Sequence, residues 1–531
     1  MLDCTLRDGG YVNDWNFGKG SIESIISRLD KAGIDIIELG FLDERRKPDT
    51  DRTIQPDTSS MKWLMKDFKD KNAMVVAMID FGTCGIDKLE TSEESGIDGI
   101  RVIFKKKIAE KALEFCRQVK AKGYKLFIQP VSVTSYNDDE MKNIIGAVNG
   151  IAPFCFSIVD TYGLLHGDDL LHYFDIIDKN LNEKIYIGYH AHNNFQLAYS
   201  NCLTLADYNT ERNLILDSSL YGMGKGAGNA CTELIAMYLN KKKGKSYDLN
   251  QVLEAIDVDI MKEYSKKYWG YSMMHFMAAS RDCHPDFVKT LLGKRTLSVK
   301  SINKIIDTIP ETEKLNFNKE MIEKEYQEFQ NVYVDDVKAY EELGKLLSGR
   351  EILAVAPGSS IINEKEKINA YIKEHNPVVI SVNFVPDMYK PDMVFFGNAK
   401  RYSQFYDALM GSGPDIKVIC TSNITEAKRK IDYVLNFNSL IFEEEPIRDN
   451  PVLMLIKALV KAGAKSVSLA GFDGYSGGAE NDYIGKYLQF LYCDADLIAR
   501  NRLVAKELAE MKEKINIGFI TKSYYQVVQV K

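Results

Sequence analysis

Eight short apolar runs recur through the first 224 residues, and they constrain the fold more than any other feature. They are 1–8 (MLDCTLRD), 34–41 (IDIIELGF), 73–80 (AMVVAMID), 99–104 (GIRVIF), 124–133 (YKLFIQPVSV), 153–160 (PFCFSIVD), 184–192 (KIYIGYHAH) and 214–222 (LILDSSLYG). Most are continuous rather than alternating, which is the pattern of strands covered on both faces in a parallel sheet. Helical patterns lie between them. The stretch SIESIISRLDKAG puts Ile22, Ile25, Ile26 and Leu29 on one face, with Ser21 as N-cap and Gly33 as stop. KIAEKALEFCRQVKAKG repeats the pattern and ends at Gly123. An open doubly wound sheet gives a similar rhythm, but eight successive units favour closure into a (β/α)8 TIM barrel.

In such a barrel the chemistry sits at the C-terminal ends of the strands. Polar residues gather at those ends here: Arg7 and Asp8, Glu38, Asp160, His190 and His192, and Asn229 in GMGKGAGNACTE. The chain has seven histidines, and two of them alternate in YIGYHAHNNFQ. Alternate residues of a strand point the same way, so His190 and His192 project together. Two adjacent imidazoles are a natural pair of metal ligands; two hydrogen-bonded polar residues at a strand end are the alternative. Asp8, from a neighbouring strand, tips the balance to metal. With Asn229 as fourth ligand the set is mixed N and O, suited to Mn²⁺, Mg²⁺, Co²⁺ or Zn²⁺ with positions left for substrate.

DCTLRDGG, HAHNN and GKGAGN, in this order and spacing, resemble the DRE-TIM metallolyase superfamily (HMGL-like) over about residues 1–290, and its 4-hydroxy-2-oxovalerate aldolase branch in particular. The resemblance implies that Asp8, His190 and His192 bind a divalent metal, Mn²⁺ first among the candidates, and that Asn229 completes its shell. It implies that Arg7 stabilises an enolate oxygen, that Glu38 orients Arg7 or a metal water, and that Asp160 is a site residue of undefined role. The implied activity is a metal-dependent aldolase, a carbon–carbon lyase that makes or cleaves a 4-hydroxy-2-oxo acid through a pyruvate enolate, with an aldehyde as partner. A Claisen-type acyltransferase or CoA-dependent lyase of the same superfamily is the alternative. Against it, Tyr11 stands where the condensing members have glutamine, and Cys231 follows Asn229 instead of preceding it in the loop. The aldolases usually have histidine as general base at the position of Tyr11, so Tyr11 is expected either to do acid–base work or to hydrogen-bond the substrate. WGYSMMHFMAA resembles the aldolase segment whose tyrosine reaches back to the site, which would be Tyr271; a core tyrosine is the competing reading.

Composition narrows the partners. A formal net charge of −7 argues against nucleic acid. No apolar run approaches the ~20 residues that span a bilayer. Asp3, Arg7 and Asp8 exclude a signal peptide at the start. Nine scattered cysteines without CxxC read as reduced thiols of a cytoplasmic protein.

The second half changes character. Residues 245–347 read as a charged helical extension, after a barrel domain of 1–244. From 348 to 531 a new alternation of strands and helices reads as a Rossmann-like α/β domain. Its APGSS turn at 356–360 is suited to a nucleotide or phosphate ligand at a helix N-terminus, or is simply a tight strand–helix turn. Nucleotide-sugar chemistry carried by this domain is a further alternative to the aldolase reading, in which the aldolase product would be a sugar precursor for a polysaccharide. A homodimer is expected.

Overall fold

The computed structural model describes residues 1–65, 71–411, 415–425, 431–476, 483–484 and 494–526. Eight parallel strands form the first sheet: β1 (Leu2–Asp3), β2 (Ile36–Leu42), β3 (Met74–Asp80), β4 (Gly99–Phe104), β5 (Lys125–Pro130), β6 (Cys155–Asp160), β7 (Tyr186–Ala191) and β8 (Leu214–Ser218). Leu2 of β1 stands opposite both Ile36 of β2 and Asp217 of β8, which closes the ring. The expected TIM barrel is therefore present. Its lower interior is filled by Leu2, Cys4, Ile36, Val76, Phe127, Cys155 and Ile215.

The first strand is shorter than the sequence suggests. Asp3 Oδ1 accepts the Thr5 N–H at 2.9 Å, and the chain turns into a helical segment, Thr5–Asp8. Arg7 and Asp8 thus stand on a helical turn at the strand's end. Helix α1 (Lys19–Lys31) buries Ile22, Ile25, Ile26 and Leu29 as expected, but Ser21 lies inside it and Gly18 is the N-cap. The missing capping group comes from Asp51, whose carboxylate accepts the Lys19 N–H at 2.9 Å. Near the end of β2 the register slips between Glu38 and Phe41, where a short strand, Ile54–Gln55, joins the edge. Gly40 is required there: a Cβ would lie 1.8 Å from the Thr53 carbonyl oxygen.

A second sheet of parallel strands occupies the C-terminal region: β9 (Ile352–Val355), β10 (Val378–Val382), β11 (Met393–Phe396), β12 (Lys417–Thr421), β13 (Tyr433–Leu435), β14 (Ser466–Ala470) and β15 (Asn516–Phe519). Their order is β13-β12-β11-β10-β9-β14-β15. The first strand is central, and the chain builds outward on one side before crossing to the other. Alternate residues feed two cores, Ile352 and Ala354 on one face, Leu353 and Val355 on the other. This explains the continuous apolar runs.

The described residues divide into two compact units, Met1–Pro285 with Glu311–Asn316, and Asp286–Pro310 with Phe317–Lys531. The sequence reading put boundaries at 244 and 347 instead, with 245–347 as a separate extension. Packing divides that segment. The Asp248 N–H bonds the Ala32 carbonyl at 2.9 Å and Ser24 bonds Asp259 at 2.7 Å, which ties 248–259 to the barrel. Gln330 Oε1 accepts from Asn423 at 2.8 Å, which ties that end to the second sheet. Cys493 lies outside the described residues; the other eight cysteines are free thiols. No helix among the described residues is long and apolar enough to cross a membrane.

Candidate metal centre

Asp8, His190 and His192 converge at the C-terminal mouth of the barrel, all buried, and each offers a ligand atom within 4.8 Å of the others. The two imidazole rings lie 5.1 Å apart and nearly perpendicular. Hydrogen bonds select their tautomers. His190 Nδ1 lies 3.0 Å from Asp217 Oδ2, and His192 Nδ1 lies 3.3 Å from the Gly228 carbonyl oxygen. Both partners accept, so each Nδ1 carries the proton and each Nε2 is left with its lone pair. Burial pushes the His192 pKa down to about 3, which keeps the ring neutral as a ligand must be. Burial alone would raise the Asp8 carboxyl, but the Arg7 guanidinium, helped by the Asn229 amide hydrogen bond, outweighs it and holds Asp8 well below the usual range.

Asn229 donates its amide N–H to Asp8 Oδ2 at 2.8 Å. Its Oδ1 is buried with no hydrogen-bond partner among the described residues. A buried acceptor without a donor, beside a carboxylate and two neutral imidazoles, makes a donor set of the kind that cations take. The donor set fits a divalent metal.

Arg7 is held at three points. Its Nε donates to Glu38 Oε2 at 2.8 Å, its Nη1 donates to Asp8 Oδ1 at 2.5 Å, and its carbonyl accepts the Trp15 indole N–H at 2.8 Å. Its Nη2 is buried and has no hydrogen-bond partner among the described residues. A fixed guanidinium with one spare donor is preorganised for an oxygen that gains negative charge. Glu38 therefore acts on Arg7, one of the two roles read for it.

Two residues missed from the sequence lie beneath. Arg101, on β4, forms an ion pair with Glu38 at 3.0 Å and hydrogen-bonds Asp217, which in turn orients His190. The signal was present: Arg101 interrupts GIRVIF and Asp217 interrupts LILDSS, and a charge within a strand covered by helices has only the barrel interior to enter.

Other expected residues are placed differently. Asp160 accepts the backbone N–H groups of Leu164 and Leu165 at 2.8 and 3.1 Å, so it shapes the loop after β6. Desolvation raises its pKa to about 6 despite those bonds. Tyr11 stands at the mouth, its ring 5.4 Å from the Lys225 ammonium. Burial and the Asp8 carboxylate push its phenol up to about 12. The 269–276 segment does reach the glycine-rich loop, but through other side chains. Trp269 donates to the Tyr221 carbonyl at 3.0 Å, and His275 Nε2 lies 3.8 Å from where a Cβ on Gly226 would be. Tyr271 is 55% exposed and makes no hydrogen bond among the described residues. Tyr271→Phe is accordingly expected to leave metal-dependent turnover within about twofold of the parent, because an exposed surface change of this kind costs less than about 0.5 kcal/mol. A steady-state assay checks this.

The barrel half of the chain is similar to known proteins. The 4-hydroxy-2-oxovalerate aldolase of Thermomicrobium roseum is 27% identical over 242 residues, covering 45% of this chain and 66% of the relative. The oxaloacetate decarboxylase of Mycobacterium tuberculosis is 24% identical over 278 residues, covering 50% of this chain and 78% of the relative. Among solved structures, the HMG-CoA lyase of Bacillus subtilis aligns with a TM-score of 0.41 at 16% identity, over 50% of this chain and 93% of that one. The HMGL-like family model matches residues 1–259, so the barrel half of this chain is an HMGL-like domain.

Proposed function

We propose that the barrel is a divalent-metal-dependent aldolase that makes or cleaves a 4-hydroxy-2-oxo acid through a pyruvate enolate. The observation that carries this reading is the pair of unsatisfied groups, Arg7 Nη2 and Asn229 Oδ1, buried beside Asp8, His190 and His192. A divalent cation bound there, Mn²⁺ by preference and Mg²⁺, Co²⁺ or Zn²⁺ as alternatives, supplies Lewis acidity toward the oxygens of a 2-oxo acid.

The chain's own residues do the rest. In the cleavage direction the C4 hydroxyl gives its proton to solvent water at the mouth, the C3–C4 bond breaks to leave an aldehyde, its electron pair passes into the enolate, and the enolate takes a proton from solvent at C3 to become pyruvate. Arg7 Nη2 donates to the oxygen that becomes anionic. Glu38 and Asp8 fix the guanidinium, so no reorganisation is needed as charge develops. With its pKa near 12, Tyr11 keeps its proton at neutral pH. It serves as a hydrogen-bond donor to the oxygen on C4 rather than as the base. The names of both relatives support the enolate: loss of CO₂ from oxaloacetate and aldol cleavage of a 4-hydroxy-2-oxo acid leave the same pyruvate enolate. Pyruvate and an aldehyde are thus the proposed ligands, and a homodimer the proposed assembly.

Exchange of the pyruvate C3 protons in D₂O, followed by NMR, tests the proposal. Exchange is expected only with added divalent metal and is expected to fall at least about 100-fold in Arg7→Ala, the scale of losing one preorganised donor. Absence of exchange with all four metals, with thiol release from acetyl-CoA in its place, would reject it for the acyltransferase reading.

A further inference from the structure

The second unit contains a cavity of about 440 Å³, within the range that holds small metabolites. It opens at the C-terminal ends of β9, β10, β11 and β14, where Pro357, Asn383, Asn398 and Phe472 line it. This is the point at which the strand order reverses around β9. In an open parallel sheet the loops on either side of that point part, and the crevice between them is where ligands bind.

Its lining carries more cations than carboxyl groups. Lys294, Arg295, Arg401, Arg448 and Arg500 line it, against the carboxyl groups of Glu445, Asp449 and Asp473; Lys294 is paired with Glu323 at 2.8 Å, so the arginines carry the excess. Asp473 is taken up by the Ser360 N–H, at 2.8 Å, and desolvation raises the pKa of Asp449. The same Asp473 bond occupies the N–H group that the APGSS turn was expected to offer, so an anion here would meet side chains instead.

Two amides give the cavity directional donors. Asn383 and Asn398 are 5% and 6% exposed. Each uses its Oδ1 internally: Asn383 accepts the Gly397 N–H and Asn398 the Arg401 N–H, both at 2.9 Å. Neither amide NH₂ group donates to another residue among the described ones. Both NH₂ groups face the cavity and are free to donate to an acceptor on a ligand. Asn383 also sits at φ 61°, in the left-handed region that few residues other than glycine adopt. That conformation turns the chain at the end of β10 and sets the amide on the cavity wall. Tyr326, Phe472 and Tyr525 supply an aromatic part of the lining.

We propose that this cavity binds a phosphorylated metabolite, its phosphate met by the arginines and its body hydrogen-bonded by the Asn383 and Asn398 amides. The site is independent of the barrel chemistry. A nucleoside phosphate and a sugar phosphate share the required features, and the test separates them.

Isothermal titration of the full-length protein with CMP, UMP, AMP, GMP, glucose 1-phosphate and inorganic phosphate is the experiment. At least one organic phosphate is expected to bind at least tenfold more tightly than inorganic phosphate. A nucleotide as the preferred probe assigns the aromatic lining to a base; glucose 1-phosphate assigns the amides to sugar hydroxyls. Asn383→Asp keeps the acceptor for Gly397 and removes the NH₂ donor, and Asn398→Asp does the same for Arg401. Each is expected to weaken that binding at least tenfold while pyruvate proton exchange at the barrel is unchanged. Equal binding of all probes, no binding below 1 mM (about 4 kcal/mol), or full affinity in both variants would overturn the proposal.

Discussion

Asp8→Ala and His190→Ala are each expected to abolish metal-dependent turnover, with a loss of at least about 1,000-fold. A bound cation contributes several kcal/mol to stabilising an enolate, and about 4 kcal/mol corresponds to about a thousandfold in rate. The two variants fail for different reasons, which makes them informative together. Asp8 removal takes away the anionic ligand and also releases Arg7 Nη1, the Lys225 N–H and the Asn229 amide, all of which it accepts from. His190 removal takes away one neutral ligand and leaves Arg7 bonded to both Asp8 and Glu38. Calorimetric metal titration should show weakened binding in both. Parental turnover in either one, with metal present, would mean that the cluster is not the reaction centre.

Arg101→Met is expected to destabilise the barrel unit by about 3–5 kcal/mol, the usual cost of breaking a buried ion pair from one side. The Arg101 side chain is 1% exposed, and Glu38 and Asp217 are as deeply buried. Without the guanidinium, two carboxylates remain inside a low-dielectric interior, with Arg7 and His190 as their remaining partners. Methionine fills a comparable volume, so the loss reads charge rather than a cavity. The three tryptophans, Trp15, Trp63 and Trp269, all lie in the barrel unit, so their fluorescence during urea unfolding reports on it alone. An unchanged urea midpoint would show that Arg101 is not what balances those charges. Asp217→Asn is the milder companion. It keeps a hydrogen-bond acceptor for His190 but not the charge, and changes to such supporting groups typically cost 10- to 100-fold in metal affinity.

Much of the site was legible because barrel geometry converts strand ends into a shared mouth. Once eight strands are counted, Asp8, His190 and His192 must approach one another, whatever the loops do. Asn229 followed from the glycine-rich loop after β8. Asp160 and Tyr271 show the limit. A polar residue at a strand end faces either the substrate or its own loop, and only the backbone path chooses. After β6 the chain turns so that the Leu164 and Leu165 amides take the Asp160 carboxylate. Around Tyr271 the chain instead brings Trp269 and His275 to the glycine-rich loop.

By itself the sequence determined the elements and their closure, because burial on both faces of a strand is written locally as a continuous apolar run. It also set His190 beside His192, since alternation along one strand turns both side chains the same way. Tertiary structure alone decided which charges answer one another. Arg101 and Asp217 are 116 residues apart, and Gln330 and Asn423 are 93 apart. Nothing local relates them, and only the closed barrel or the stacked sheet brings each pair within hydrogen-bond reach. The same holds for the division at Pro285: charged amphipathic helices read alike along 245–347, and which core each one covers is set by where its apolar face finds a partner.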